Sequence, residues 1–144
     1  MIEKNVIISV RGEQYFEDID PDTVELTTEG HMTIDEDGVI SLTYRETELT
    51  GMDGITTCFT VSGDTVTLRR TGSVNNEMRF HTGYPHMSLY ETPMGVLTVE
   101  IVTESLAHRL NERGGIMDIK YSIAVEHQVT GRHHFKIRVR ESMR

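Results

Sequence analysis

In run after short run along this chain, every second side chain is apolar. Val6, Ile8 and Val10 form the first stripe, and Ile40, Leu42 and Tyr44 alternate with Ser41, Thr43 and Arg45. Ile55, Thr57, Phe59 and Val61 follow, then Val66 and Leu68, then Met78 and Phe80. Met87 and Leu89 precede Leu97, Val99 and Ile101, and the last runs are Met117-Ile119-Tyr121-Ile123-Val125 and Phe135-Ile137-Val139. Side chains of an extended strand point alternately to the two faces of a sheet, so a period of two gives each strand one apolar and one wet face. Residues 24–34 are rich in Thr and read as a weaker strand. Residues 103–113 show some helical spacing, but Gly114-Gly115 follows at once, and the segment reads as one arm of a long hairpin.

Turn signals separate the runs at short intervals. Asp37-Gly38 offers the positive φ angles that a tight hairpin needs, and Ser62-Gly63-Asp64, Gly72, Gly83, Gly114-Gly115 and Thr130-Gly131 serve similarly. Pro21, Pro85 and Pro93 fall at run edges, where a missing N–H does least harm. Short strands in hairpin order mean a sandwich or a barrel. Consecutive hairpins need no long crossover, and closure removes the edges that invite aggregation. The expected fold is therefore all-β: a single up-and-down antiparallel β-barrel of about 8–10 strands. At 144 residues the chain is long enough for one domain, read here as residues 1–144, with no linker or repeat to mark a second.

Charge and cysteine content narrow the function classes. The formal net charge is -9. Residues 1–54 carry 14 acids against 3 bases, and residues 55–144 carry 9 acids against 11 bases. An acidic protein repels phosphate backbones at long range, so nucleic acid is not an expected partner. Lys136, Arg138 and Arg140 alternate with Phe135, Ile137 and Val139 and read as the wet face of a strand. No run of about 18 apolar residues exists, so no membrane partner is expected. The single cysteine, Cys58, cannot form an internal disulfide, and with no base beside it reads as a small hydrophobe. Together these features point to a reduced, cytoplasmic setting.

Metal and cofactor chemistry find little support. Of the seven histidines, His133 and His134 are adjacent and face opposite ways on a strand. His81 and His86 flank Gly83-Tyr84-Pro85 as loop residues, and His108 and His127 lack an acid or cysteine pattern. No phosphate loop, dinucleotide fingerprint or hydrolase elbow occurs, and no helix follows Gly51-Met52-Asp53-Gly54. No metal and no cofactor are expected.

The informative residues are charges on an apolar face. Extending the parity of Val66 and Leu68 brings Arg70 inward, and extending Ile40, Leu42 and Tyr44 brings Glu46 inward. A buried charge is costly alone, so each needs the other, a bound ion or water at an open strand end. The Arg fork also matches the carboxylate of a ligand. Arg70, Glu46, Tyr44 and Phe80 are the candidate ligand-binding residues.

Three stretches, taken together, resemble one family. Leu42-Thr43-Tyr44-Arg45-Glu46 precedes Ile55-Thr56-Thr57, Leu68-Arg69-Arg70-Thr71-Gly72 leads to Met78-Arg79-Phe80, and Tyr90-Glu91-Thr92-Pro93-Met94-Gly95 precedes a long strand pair ending at Ile123. In spacing and order they resemble the YwiB family of uncharacterised bacterial proteins. The resemblance implies a calycin-like (lipocalin-like) barrel and no activity, since fold does not fix function.

Two function classes follow. One is a carrier or sensor that holds a small apolar or acidic ligand inside the barrel. The other is a barrel filled by its own side chains that acts as an interaction or structural module, as a monomer or homodimer. An enzyme ranks third: Glu46, Arg70 and Tyr90 offer an acid, an anion clamp and a proton donor, but Tyr90 has the opposite parity to Met87 and Leu89.

Overall fold

The computed structural model describes residues 1–16, 19–46, 54–72, 75–92, 95–126 and 128–142. They form ten strands: β1 (Ile2–Phe16), β2 (Ile19–Ile34), β3 (Ile40–Arg45), β4 (Ile55–Ser62), β5 (Thr65–Gly72), β6 (Asn76–Phe80), β7 (His86–Thr92), β8 (Gly95–Asn111), β9 (Gly114–Val125) and β10 (Gln128–Glu141). The segment with ambiguous spacing belongs to β8, and no helix occurs among the described residues. The strand order is β6-β5-β4-β3-β2-β1-β10-β9-β8-β7. Every ladder is antiparallel, and the outer strands of this order, β6 and β7, are consecutive in the chain. The molecule is thus an up-and-down meander curled into one nearly closed antiparallel barrel, as expected from the hairpin order.

Register carries the apolar stripes to one side. Val10 lies opposite Leu26 on β2 and Ile137 on β10, and Ile8 lies opposite Val139. Phe59 pairs with Leu42 and Leu68, and its ring stacks on Tyr44 and meets Phe135 edge-on at 6.2 Å. Ile8, Met32, Leu42, Phe59, Leu68, Phe80, Met117 and Ile119 are fully buried. Each such side chain contributes roughly 1.5–3 kcal/mol by leaving water.

Local chemistry sets the hairpins. Between β2 and β3, Asp35 Oδ1 accepts from the Asp37 and Val39 amides at 2.9 Å each, while Gly38 takes a φ of 82°. Gly115 lies opposite both Leu110 on β8 and Val139 on β10, at a φ of 138°. A Cβ there would come within 1.8 Å of the Arg109 carbonyl oxygen, so the position admits only glycine.

The barrel closes without a backbone ladder between β6 and β7. Side chains bridge this seam instead. The Arg79 amide donates to His86 Nδ1 at 3.2 Å, and Ser88 Oγ donates to the Glu77 carbonyl at 3.1 Å. Just beyond β6, the His81 amide donates to Thr103 Oγ1 at 3.2 Å. His86 is therefore the first residue of a strand and not part of a loop. One stripe also faces the other way from a core reading. Met87 and Leu89 are exposed, while the intervening Ser88 is half-buried and turned to the seam. An edge strand that closes a barrel through polar side chains puts those side chains inward and leaves its apolar residues outside.

Candidate functional site

A cavity of about 340 Å³ opens at one end of the barrel. Val10, Gly12 and Gln14 of β1, Val24 and Leu26 of β2, and Met78 of β6 contribute to its wall. Tyr44 and Glu46 come from the end of β3, Arg70 from the end of β5, Tyr121 and Ile123 from β9, and His133 and Phe135 from the start of β10. In an up-and-down barrel, the ends of odd strands and the starts of even strands lie at the same rim, which is why these positions converge.

Three of the four sequence-derived candidates meet here. Glu46 is buried, and its Oε1 accepts from the fully buried Thr57 hydroxyl at 2.7 Å. Arg70 is half-buried, and its Nε is shielded from solvent with no acceptor among the described residues. No ion pair joins Arg70 to Glu46 among the described residues. Tyr44 is buried beside both. Desolvation pushes its phenol well above the ordinary value, the Glu46 charge pushes further in the same direction, and the Arg70 charge opposes them. The Tyr44 hydroxyl is therefore a fixed neutral donor at any physiological pH.

Phe80, the fourth candidate, is fully buried but does not line the cavity. It packs behind the wall, with its ring 4.7 Å from that of Tyr121. Tyr90 lies on β7 with its side chain outside the described part of the structure. Pro93, Met94, His127 and Gly51 to Asp53 also fall outside the described residues.

Sequence reasoning missed the aromatic wall facing Arg70. The His133 ring lies 5.0 Å from that of Tyr121 at an interplanar angle of 11°, and Phe135 tilts against the same tyrosine at 5.7 Å. The signal was present, because His133 shares the parity of Phe135, Ile137 and Val139. Burial holds the His133 pKa below its ordinary value, so the ring is neutral at pH 7. His134, the next residue, is buried at the same end of the barrel, with Nε2 2.8 Å from Asp118 Oδ1. At the rim, Glu13 accepts from the Tyr15 hydroxyl and pairs with Arg11 Nε at 2.9 Å; the tyrosine bond is the larger cause of its lowered pKa. No group of three or more metal-binding side chains occurs among the described residues. The site as built is an apolar and aromatic chamber with a guanidinium, a carboxylate and a phenol clustered on one side.

Residues 8–137 match the domain of unknown function DUF1934. The chain belongs to this family. Among curated proteins none matches it. The crystal structure of the ywiB protein from Bacillus subtilis is similar at a TM-score of 0.82 and 24% identity, covering 98% of this chain and 94% of that one. That likeness concerns the fold, and it agrees with the barrel described above and with the YwiB-like resemblance read from the sequence. No helix among the described residues is long and apolar enough to cross a membrane.

Proposed function

We propose that this protein binds a small, largely apolar ligand in the barrel, anchored by an acidic or otherwise hydrogen-bond-accepting head at Arg70. The observation that carries the reading is the Arg70 Nε, a buried donor without an acceptor among the described residues, at the wall of a chamber of about 340 Å³. Natural ligand sites combine such volumes, mostly apolar walls and a few convergent polar groups. Buried donors are rarely left unpaired when the fold alone can satisfy them. The reading includes a cytoplasmic setting, supported by the lone thiol of Cys58, half-buried 3.5 Å from Thr43 Oγ1.

Displacement of 1-anilinonaphthalene-8-sulfonate by 3-phenylpropanoate tests the anchor. The Arg70→Met variant is expected to keep its far-UV spectrum and to bind the acid roughly 10- to 100-fold more weakly, the range of one charge-assisted hydrogen bond. Unchanged affinity in a folded variant defeats the reading. Native mass spectrometry of freshly purified protein offers a second measure, since a retained ligand adds a few hundred daltons that denaturation removes.

A second reading draws on the outer face. Met87, Leu89 and Val96 are exposed close together on paired strands β7 and β8, as on a surface that docks a protein partner. A pull-down at low ionic strength that recovers no partner counts against it.

A further inference from the structure

The anchor reading leaves one polar pair at the edge of the chamber unexplained. Arg70 on β5 and Asn76 on β6 are register partners. Each holds a solvent-shielded polar atom without a protein partner among the described residues: Nε of Arg70, a donor, and Oδ1 of Asn76, an acceptor. Asn76 is not itself in the lining, but it adjoins the chamber between two residues that are: Arg70, its register partner, and Met78, which shares its inward parity. Glu46 stands on the same rim, with Thr57 bonded to its Oε1.

A bare carboxylate answers only half of this arrangement. Its oxygens accept from Arg70, but they bring negative charge towards the Asn76 carbonyl oxygen, which lacks a donor among the described residues, and towards the Glu46 carboxylate. A head group that also carries a proton on an adjacent nitrogen or oxygen satisfies both sides at once.

Resting on the proposed anchor at Arg70, we infer that the ligand's head both accepts and donates side by side, as in a 2-hydroxy acid or an amide-bearing acid, and that Asn76 selects it over a simple carboxylate. Selectivity of this kind is strong because a buried acceptor left facing an analogue without the proton stays unpaired.

The test uses two probes of equal carbon count, 3-phenylpropanoate and 2-hydroxy-3-phenylpropanoate (each enantiomer), displacing the same fluorescent sulfonate. One enantiomer of the hydroxy acid is expected to bind wild type roughly 5- to 10-fold more tightly than the plain acid, the worth of one neutral hydrogen bond. Asn76→Val removes the acceptor and erases the preference, whereas Asn76→Thr, nearly isosteric with valine but carrying a hydroxyl acceptor, retains part of it. Equal binding of both probes, weakened by Arg70→Met, overturns this inference and leaves the anchor standing. A preference that survives Asn76→Val also overturns it. Failure of both probes to displace the dye overturns the anchor and the inference together. In ligand-free protein, Arg70→Met and Asn76→Val should shift the urea midpoint additively; strong coupling would show that the two side chains satisfy each other, which removes the inference's basis.

Discussion

At the scale of single residues, Thr57 is the most exacting polar position in the barrel. Its side chain is fully buried and its hydroxyl donates to a buried carboxylate oxygen of Glu46 at 2.7 Å. Thr57→Val keeps the shape and deletes the donor, and should lower the free energy of urea unfolding by about 1–3 kcal/mol, the usual cost of leaving a buried acceptor unmet. Thr57→Ser keeps the donor and should lose less. Glu46 and Arg70 were legible in the sequence because parity alone turns them inward. Phe80 shows what parity leaves out: it fixes the face of a side chain but not its height along the barrel axis. Phe80 lies inward, yet it sits where Tyr121 fills the space. Asn76 was not legible at all, since an asparagine at the start of a strand reads as turn chemistry and its orphaned oxygen appears only once β5 and β6 are in register.

Among the elements, the β6–β7 seam is closed in part by a titratable fastener. His86 Nδ1 accepts the Arg79 amide proton, so the ring must be unprotonated at that nitrogen for the contact to hold. Desolvation, followed by the Arg79 charge, lowers the His86 pKa below 6.5, while Glu77 opposes weakly; Tyr84, His81, Pro85 and Thr65 complete its surroundings. A histidine whose folded pKa is depressed contributes stability in full above its unfolded value, and that contribution is lost as pH falls through 6.5 towards the folded value. His133 acts with the same sign, whereas Glu77, lowered chiefly by the Arg69 hydrogen bond, yields only below 4.5. Lowering the pH from about 7.5 to about 5.5 should therefore lower the Tm of the wild type. His86→Asn, whose amide oxygen accepts without titrating, should flatten that slope; calorimetry showing an unchanged slope would assign the dependence to His133. The strands themselves were readable from alternation, and β8 declared itself through Gly114-Gly115. The orientation of β7 was not, because Met87 and Leu89 alternate just as a core stripe does, and only the polar fastening at Ser88 explains why they face outward.

For the molecule as a whole, the ring-like strand order matters more than any one strand. Each strand neighbours those before and after it in the chain, β1 adjoins β10, and among the described residues only the β6–β7 step lacks a ladder. Joining residue 144 to residue 1 through a Gly/Ser linker and opening the chain at Gly83 should consequently preserve the barrel, because the new ends fall in the 81–85 turn beside the seam. Far-UV and near-UV spectra like those of the parent, with a Tm within about 10 °C, are expected; loss of the near-UV signal would show that the covalent turn holds the seam shut. Fold class was legible at this scale because meander order follows from closely spaced hairpins. The missing ladder was not, since nothing in the local pattern of β6 or β7 distinguishes a laddered pair from one fastened by side chains. The same ring has a consequence for how the protein is made. During translation β1 emerges long before β10, and its β10-facing edge stays unmatched until β10 has left the ribosome, so the nascent chain carries a long, adhesive edge while the intervening strands are made.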